Sequence, residues 1–569
     1  MSRKNKVPHA NQTSRQRRLF MEALETRNLL AGNVTASVIG GTLFIRGDNA
    51  GNGVIVSEVG PNQYSVTGFD QDGDGTRIKT PNNGNGPVNN TLVFSGVTVN
   101  IDIALKQGDD ALAVGNDAGE LNSLFIDCFD DTLIPDGGGE NNDVITPSAV
   151  FPGTLEVPLD LIINTGDGHD KVAVIAEARD GVILTGNHDD LVAVGGSFFS
   201  DDLIVDTGKG NDGVCIGETG VVDLLSVVTA QGVDGLDLFN SSLGSLVVAM
   251  GEGFDSAGVV GLEVEFGGSI NVGNGGSEVD VFEYFGLALA ITAANGQDEV
   301  RVSTSEIGSL AIVTGNHEDE VRVSSADLGA VSVVTGNGED DVEMQEFGAQ
   351  SVVVSTGNDH DEVHLQDFDA QSVVIDTGNG NDGSDSEESP ITVENADIEF
   401  DLTIALGAGN DLALVQDVGS RNTIIIGANG DDEIEYFNST AALDLIINTG
   451  NGNDFVDIFD VLVRRNASLV LGAGDDFLSA ELLNVEGNAT LDAGAGHDEV
   501  HITDSNVDGL FQAFMGAGND FLEILGSTAG AARLFGGENS NDFDQLDADF
   551  DNLPEDVEVF QFEEVNFVL

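Results

Sequence analysis

The sequence predicts an all-β fold: a right-handed parallel β-helix of about 18 or more coils, with a repeat of 21–22 residues and capped ends. Three observations carry this prediction. A Gly-x-Gly-x-Asp turn recurs along most of the chain, and apolar residues alternate with period two on both sides of it. The 40 % of hydrophobic residues is enough for a core, although the net charge is −79.

The turn is the first element. With the aspartate as marker it falls at Asp170, Asp190, Asp212, Asp234, Asp255, Asp298, Asp319, Asp340, Asp361 and Asp382. It continues at Asp411, Asp432, Asp454, Asp476, Asp498, Asp520 and Asp542. The long step from Asp255 to Asp298 hides a degenerate turn around Gly273–Asp280, and the step from Asp382 to Asp411 holds an acidic insertion, Ser384–Pro390. Self-similarity at a fixed period of this kind is the mark of a solenoid.

The strands come next. Before the turn stand Leu310 and Ile312, Val331 and Val333, Val352 and Val354, Val373 and Ile375. After it stand Val300/Val302, Val321/Val323, Val342/Met344, Val363/Leu365 and Val456/Ile458. Alternating β-branched residues bounded by Gly and Asn read as short strands with one buried face. One repeat cannot close a core, whereas stacked repeats bury both ladders continuously. At ~4.8 Å per coil, eighteen coils span roughly 85 Å. The repeat length suits two clear strands and a short third.

Stacking also predicts columns of identical side chains. Thr165, Thr185, Thr207, Thr314, Thr335, Thr356, Thr377 and Thr449 each precede the first turn glycine, and Asn316, Asn337, Asn358 and Asn379 follow it. The asparagines have the spacing of an amide ladder. Two cysteines, Cys128 and Cys215, make no disulfide framework. If every 21–22 residues advance one coil, they lie near 19 Å apart along the axis, beyond the ~7 Å limit for a bridge. Both are expected to be incidental small hydrophobes.

Four regions follow. Residues 151–542 form the regular solenoid. Residues 33–150 form an N-terminal β cap with irregular first coils, including the turn Gly108-Asp109-Asp110. Residues 543–569 form a C-terminal cap, in which Phe543, Phe550, Phe560, Phe562 and Phe567 break the periodicity. Residues 1–32 carry seven basic residues against Glu22 and Glu25, in a chain with only 20 Lys and Arg, and read as a targeting or processing segment. The run Leu24-Glu25-Thr26-Arg27-Asn28-Leu29-Leu30 resembles the LEPR-XLL motif at the start of large exported planctomycete proteins, with Thr26 in place of the motif's Pro. The resemblance implies export or surface sorting and no chemistry.

The turn itself is similar to the nonapeptide repeat of RTX calcium-binding proteins; Gly516-Ala517-Gly518-Asn519-Asp520-Phe521-Leu522 is a close match. That resemblance implies structural Ca2+, with the aspartate as a hard oxygen ligand and adjoining coils completing the shell. The expected ligands are Asp170, Asp190, Asp212, Asp298, Asp319, Asp340, Asp361, Asp382, Asp411, Asp454, Asp476, Asp498 and Asp520. Here one turn recurs per 21–22 residues rather than every nine, so ions would line one edge only. Adjacent aspartates at coil spacing repel by about 0.9 kcal/mol in water and about 3.5 kcal/mol at an effective dielectric of ~20. Divalent cations, outward screened side chains, or hydrogen bonds to turn amides would each relieve this. A separate loop, Asp70-Gln71-Asp72-Gly73-Asp74-Gly75, opens like a calcium loop but has Pro81 where an EF-hand needs Glu.

The charge excludes nucleic acid and anionic membranes as partners and favours divalent cations. No apolar run is long enough for a transmembrane helix. Some parallel β-helices act on polysaccharides. The best charged constellation for such chemistry is the column Asp280, Arg301, Arg322, Glu343 and His364, at steps of 21 residues. Read structurally, it is an outward face with cross-coil ion pairs. His169, His360 and His497 share one turn position and His188 and His317 another, with no pair on neighbouring coils at metal-site spacing. The expected protein is not an enzyme. It is an exported or cell-surface structural or adhesive solenoid, calcium-binding, with surface glycans or matrix proteins as partners. The alternatives are a carbohydrate-active β-helix enzyme using Arg301, Arg322 and His364, and a cation-buffering matrix component.

Overall fold

A computed structural model describes residues 32–69, 75–82, 87–116, 155–383, 390–537, 543–549 and 556–567. Its described residues form strands and turns, without a helix, in a solenoid of about 18 parallel coils. Residues 1–31, with the stretch expected to be a targeting or processing segment, the Asp70–Asp74 loop and most of the acidic insertion lie outside these residues.

Each coil has three faces. In a representative turn, strand Glu320–Ser324 points Val321 and Val323 inward and Arg322 outward. The chain then bends at Ser325, whose φ is +50°, and runs through Asp327–Asn337. That strand buries Leu328 on a short second face and Val331 and Val333 on the third. The next coil repeats the path in register: Val321 sits on Val342, Leu328 on Ala349, Val331 on Val352. One continuous core cluster runs from Val34 to Ala548. The bend was not foreseen. It is a single left-handed residue per coil, including Asn240, Thr304, Glu346, Asp367, Asp417, Asp460, Leu482 and Asp504.

The turn glycines answer to backbone crowding. Gly472 has φ +103°, and a Cβ there would lie 1.9 Å from the carbonyl oxygen of Gly450 one coil away. Only glycine lets two coil backbones approach so closely.

The N-terminal cap consists of antiparallel pairs. Asn33–Ile39 pairs with Thr42–Arg46, and Gln63–Phe69 lies between Gly53–Gly60 and Thr91–Ser95. Thr42–Arg46 and Gly53–Gly60 also start the parallel ladder, pairing with Ile101–Ala104 and Ala111–Val114. At the other end the coil path continues rather than breaks, because Val557–Phe560 and Glu564–Phe567 extend the parallel ladders. Phe562 packs on the core, Phe560 stacks on Phe535 with ring centres 4.9 Å apart, and Phe543 is exposed. Phe550 lies outside the described residues.

The cysteine expectation fails. Cys215 is buried and disulfide-bonded, not an incidental thiol. The axial separation expected from the sequence rests on steady progress along the rod. Strand Ala111–Val114 pairs directly with Lys171–Val174, so the chain between them adds no coil to that ladder. Cys128 lies outside the described residues.

Candidate functional site: a buried aspartate seam

All thirteen predicted aspartates lie in one column, and all are buried. Asp110, Asp234, Asp255, Asp432 and Asp544 belong to it as well. Ser277 holds the place in the degenerate turn, its carbonyl accepting from Glu299 as the aspartate carbonyls do in neighbouring coils. Asp542 lies outside the described residues, and Asp544 accepts the bond expected of it, from Asp520.

The column is held by a repeated bond. Except at Asp255, which Ser277 follows, and at the last member Asp544, the amide of one aspartate donates to Oδ1 of the next: Asp170 to Asp190 at 2.8 Å, Asp212 to Asp234 at 2.8 Å, Asp298 to Asp319 at 2.9 Å, Asp476 to Asp498 at 3.1 Å. It crosses the acidic insertion, from Asp382 to Asp411 at 2.8 Å. The aspartate carbonyl is used too, as in Glu320 N–H to Asp298 O at 2.8 Å. Of the three ways to relieve carboxylate repulsion, outward screening is therefore ruled out, and amide hydrogen bonding is present.

The second carboxyl oxygen is different. Oδ2 of Asp432, Asp476 and Asp498, whose coils have no threonine before the turn, is buried without a hydrogen-bond partner. Where a threonine precedes the turn its hydroxyl sits beside the carboxyl and draws its pKa down, as Thr335 does for Asp340 and Thr449 for Asp454, and it also reaches the next coil: Thr335 Oγ1 lies 3.4 Å from the carbonyl of Thr356, and Thr449 Oγ1 donates to that of Leu471 at 2.6 Å. Burial disfavours the charged carboxylate. It pushes Asp190, Asp361 and Asp432 up to about 8, and Asp212, Asp411 and Asp498 to about 7, against the pull of the amide bonds. Neighbouring column carboxylates push in the same direction.

The asparagine ladder forms outside the seam and is longer than expected, from Asn274 through Asn295, Asn316, Asn337 and Asn358 to Asn379, with amide bonds of 2.6–2.9 Å.

Arg301 and Arg322 stand side by side in register, followed by Glu343 and His364. Arg301 pairs with Glu278 at 3.0 Å, Asp280 at 3.3 Å and Glu299. Arg322 pairs with Glu343 at 3.0 Å, Asp341 at 3.4 Å and Glu320. His364 Nε2 lies 3.2 Å from Gln366 Oε1. This is a half-exposed ion-pair lattice across coils. The rings of His169 and His188 come within 5.6 Å, a neighbouring-coil proximity that their different turn positions did not suggest.

Among the described residues, one group of carboxylates is close enough to share an ion: Asp180, Asp201 and Asp202. It lies away from the seam, and Asp180 is paired with Arg179 at 2.9 Å. Residues 21–22 apart meet here only because the coils stack, which is the signal that would have found it.

The chain matches none of the known family models, curated proteins or solved structures with which it was compared.

Proposed function

We propose that the chain is an exported or cell-surface solenoid with a structural or adhesive role, whose aspartate seam is neutralised by protons at acid pH and by calcium where pH leaves it ionised. The observation that supports this most is the seam's continuity. It runs from Asp110 to Asp544 with one serine replacement. A rod that keeps one buried carboxyl per coil commits its regularity to stacking. The donor type fits calcium, which takes six to eight hard oxygens. Most seam carboxyls keep one buried oxygen outside the amide ladder, and turn carbonyls and threonine hydroxyls complete the set of hard donors. The ion-pair lattice around Arg301 and Arg322 speaks for a scaffold over a carbohydrate-active enzyme, because both guanidinium groups are already engaged by carboxylates. The favoured partners are divalent cations and surface glycans or matrix proteins.

Thermal unfolding of the full chain at pH 8 tests the calcium reading. Millimolar calcium is expected to raise Tm by about 5 °C or more over a chelator-treated sample, and an unchanged Tm removes calcium from the account. A screen against acidic and neutral glycans tests the scaffold: binding without turnover supports it, and turnover overturns it.

A further inference from the structure

Strand Asp327–Asn337 turns Val331 and Val333 inward and Ser332 and Val334 outward, and the coils on either side repeat the choice in register. The outward positions of this third face therefore form two columns. From Val247 and Ala249 to Ile446 and Asn448, the columns hold one charged side chain, Asp376. The first face of the same coils is opposite in character, with Glu299, Arg301, Glu320, Arg322, Glu343 and Glu362 outward. A chain of net charge −79 thus keeps one long strip of its surface almost without charge.

The strip is also largely apolar. Val247, Val313, Val334, Val353, Val374 and Ile446 point to solvent, each 37–42 % exposed. Ala, Ser and Thr fill most of the other places, so a second backbone can come close. The asparagine ladder from Asn274 to Asn379 borders the strip, its amides already bonded to one another. At ~4.8 Å per coil and ~3.3 Å per residue, the strip measures about 45 Å by 20 Å, on the order of 900 Å2. Exposed apolar surface on that scale marks an interface, and it matches the ≈ 800 Å2 that each partner buries in a standard one.

Charge names the occupant. A cationic partner gains most on the acid-rich first face and nothing from charge here. A second copy of this chain meets its own negative charge on the first face and little of it on the strip. We propose that two copies of the chain meet on the strip from Val247 to Ile446, face to face about a twofold axis, with the valines of one sheet against the serines and alanines of the other. Two sheets stacked in this way lie ~10 Å apart, with their strands within about 30° of each other. A twofold pairing uses the same patch on both copies, as a self-complementary strip requires. The pairing rests on the fold alone and does not depend on what neutralises the seam.

Sedimentation of the full chain in chelator tests it, at about 50 μM, where an interface of this size is populated even at the weak end of its range. A mass of two chains is expected. Association is expected to strengthen as salt rises from about 0.01 M to 0.1 M, because the Debye length falls from about 30 Å to about 10 Å and screens the remaining repulsion. A single-chain mass, with or without a neutral glycan bound on the strip, overturns the proposal, and so does a dimer that weakens with salt. Val334→Lys with Val353→Lys makes each chain less negative and is still expected to weaken association at least about tenfold, whereas Ser324→Lys on the first face is expected not to weaken it. Undiminished dimerisation of the double variant overturns the proposal. A third variant, with Ser332 replaced by photoreactive benzoylphenylalanine, decides the matter if the double variant does not fold. Cross-links into the strip of a second copy are expected, and cross-links confined to the first face overturn the pairing.

Discussion

Asp454 and Asp476, one coil apart, are joined by a 2.9 Å hydrogen bond from the amide of the first to Oδ1 of the second. The bond serves two ends, since it satisfies a buried amide and holds the carboxyl inside the rod. Replacing Asp476 separates them. Asp476→Ala leaves the Asp454 amide buried without an acceptor and is expected to cost about 1–3 kcal/mol. Asp476→Asn keeps the acceptor and removes the charge, and at pH 8 it is expected to be neutral or stabilising by on the order of 1 kcal/mol. Denaturant unfolding of the two variants at pH 8 checks the contrast.

The seam sets the direction of pH dependence. Seam carboxyls are raised to between about 6 and 8 in most coils, against ~3.9 in an unfolded chain. Below about pH 4 both states are protonated, and the seam's contribution is fully present. As pH rises, the unfolded chain releases its protons first, so stability falls and the contribution is lost through pH 6–8. In chelator, Tm is expected to be higher at pH 5 than at pH 8, and calcium is expected to raise Tm more at pH 8. Scanning calorimetry over the two pH values, with and without calcium, measures both.

Gly472→Ala is expected to be among the most damaging small changes in the rod. The added methyl meets the Gly450 carbonyl oxygen at 1.9 Å, at a φ of +103° that alanine resists. A loss of several kcal/mol is expected, at the upper end for single substitutions. Urea unfolding checks it.

Leu482 is the opposite case. Its φ is +58° and its side chain is exposed, at a bend that other coils fill with Asp504, Asp460 or Gly526. A left-handed leucine costs about 1–2 kcal/mol, so Leu482→Gly is expected to stabilise by up to about 1 kcal/mol after the entropy cost of glycine. The shift in urea midpoint reads it.

These residues also show what was legible in advance. Val321 with Val323, and Val331 with Val333, announce two buried ladders because period-two patterning survives in any parallel stack. Gly-x-Gly-x-Asp marks the turn because backbone crowding admits no other residue. The direction of the aspartate was not legible, since turn spacing is the same whether a carboxyl faces solvent or the core. The left-handed bend left a weak trace, a column rich in Asp, Asn and Gly but broken by Thr304, Glu346 and Leu482. The bridge at Cys215 was not legible, because sequence spacing does not show that Ala111–Val114 and Lys171–Val174 are direct neighbours in one ladder.

An infrared titration of the full chain carrying 13C-labelled aspartate carboxyls, in chelator, addresses the seam most directly. Two populations are expected, one titrating near the ordinary value of ~4 and one, of about fourteen seam carboxyls, between about 6 and 9. A single transition near 4, with every aspartate ionised at pH 6 in the folded protein, would contradict it.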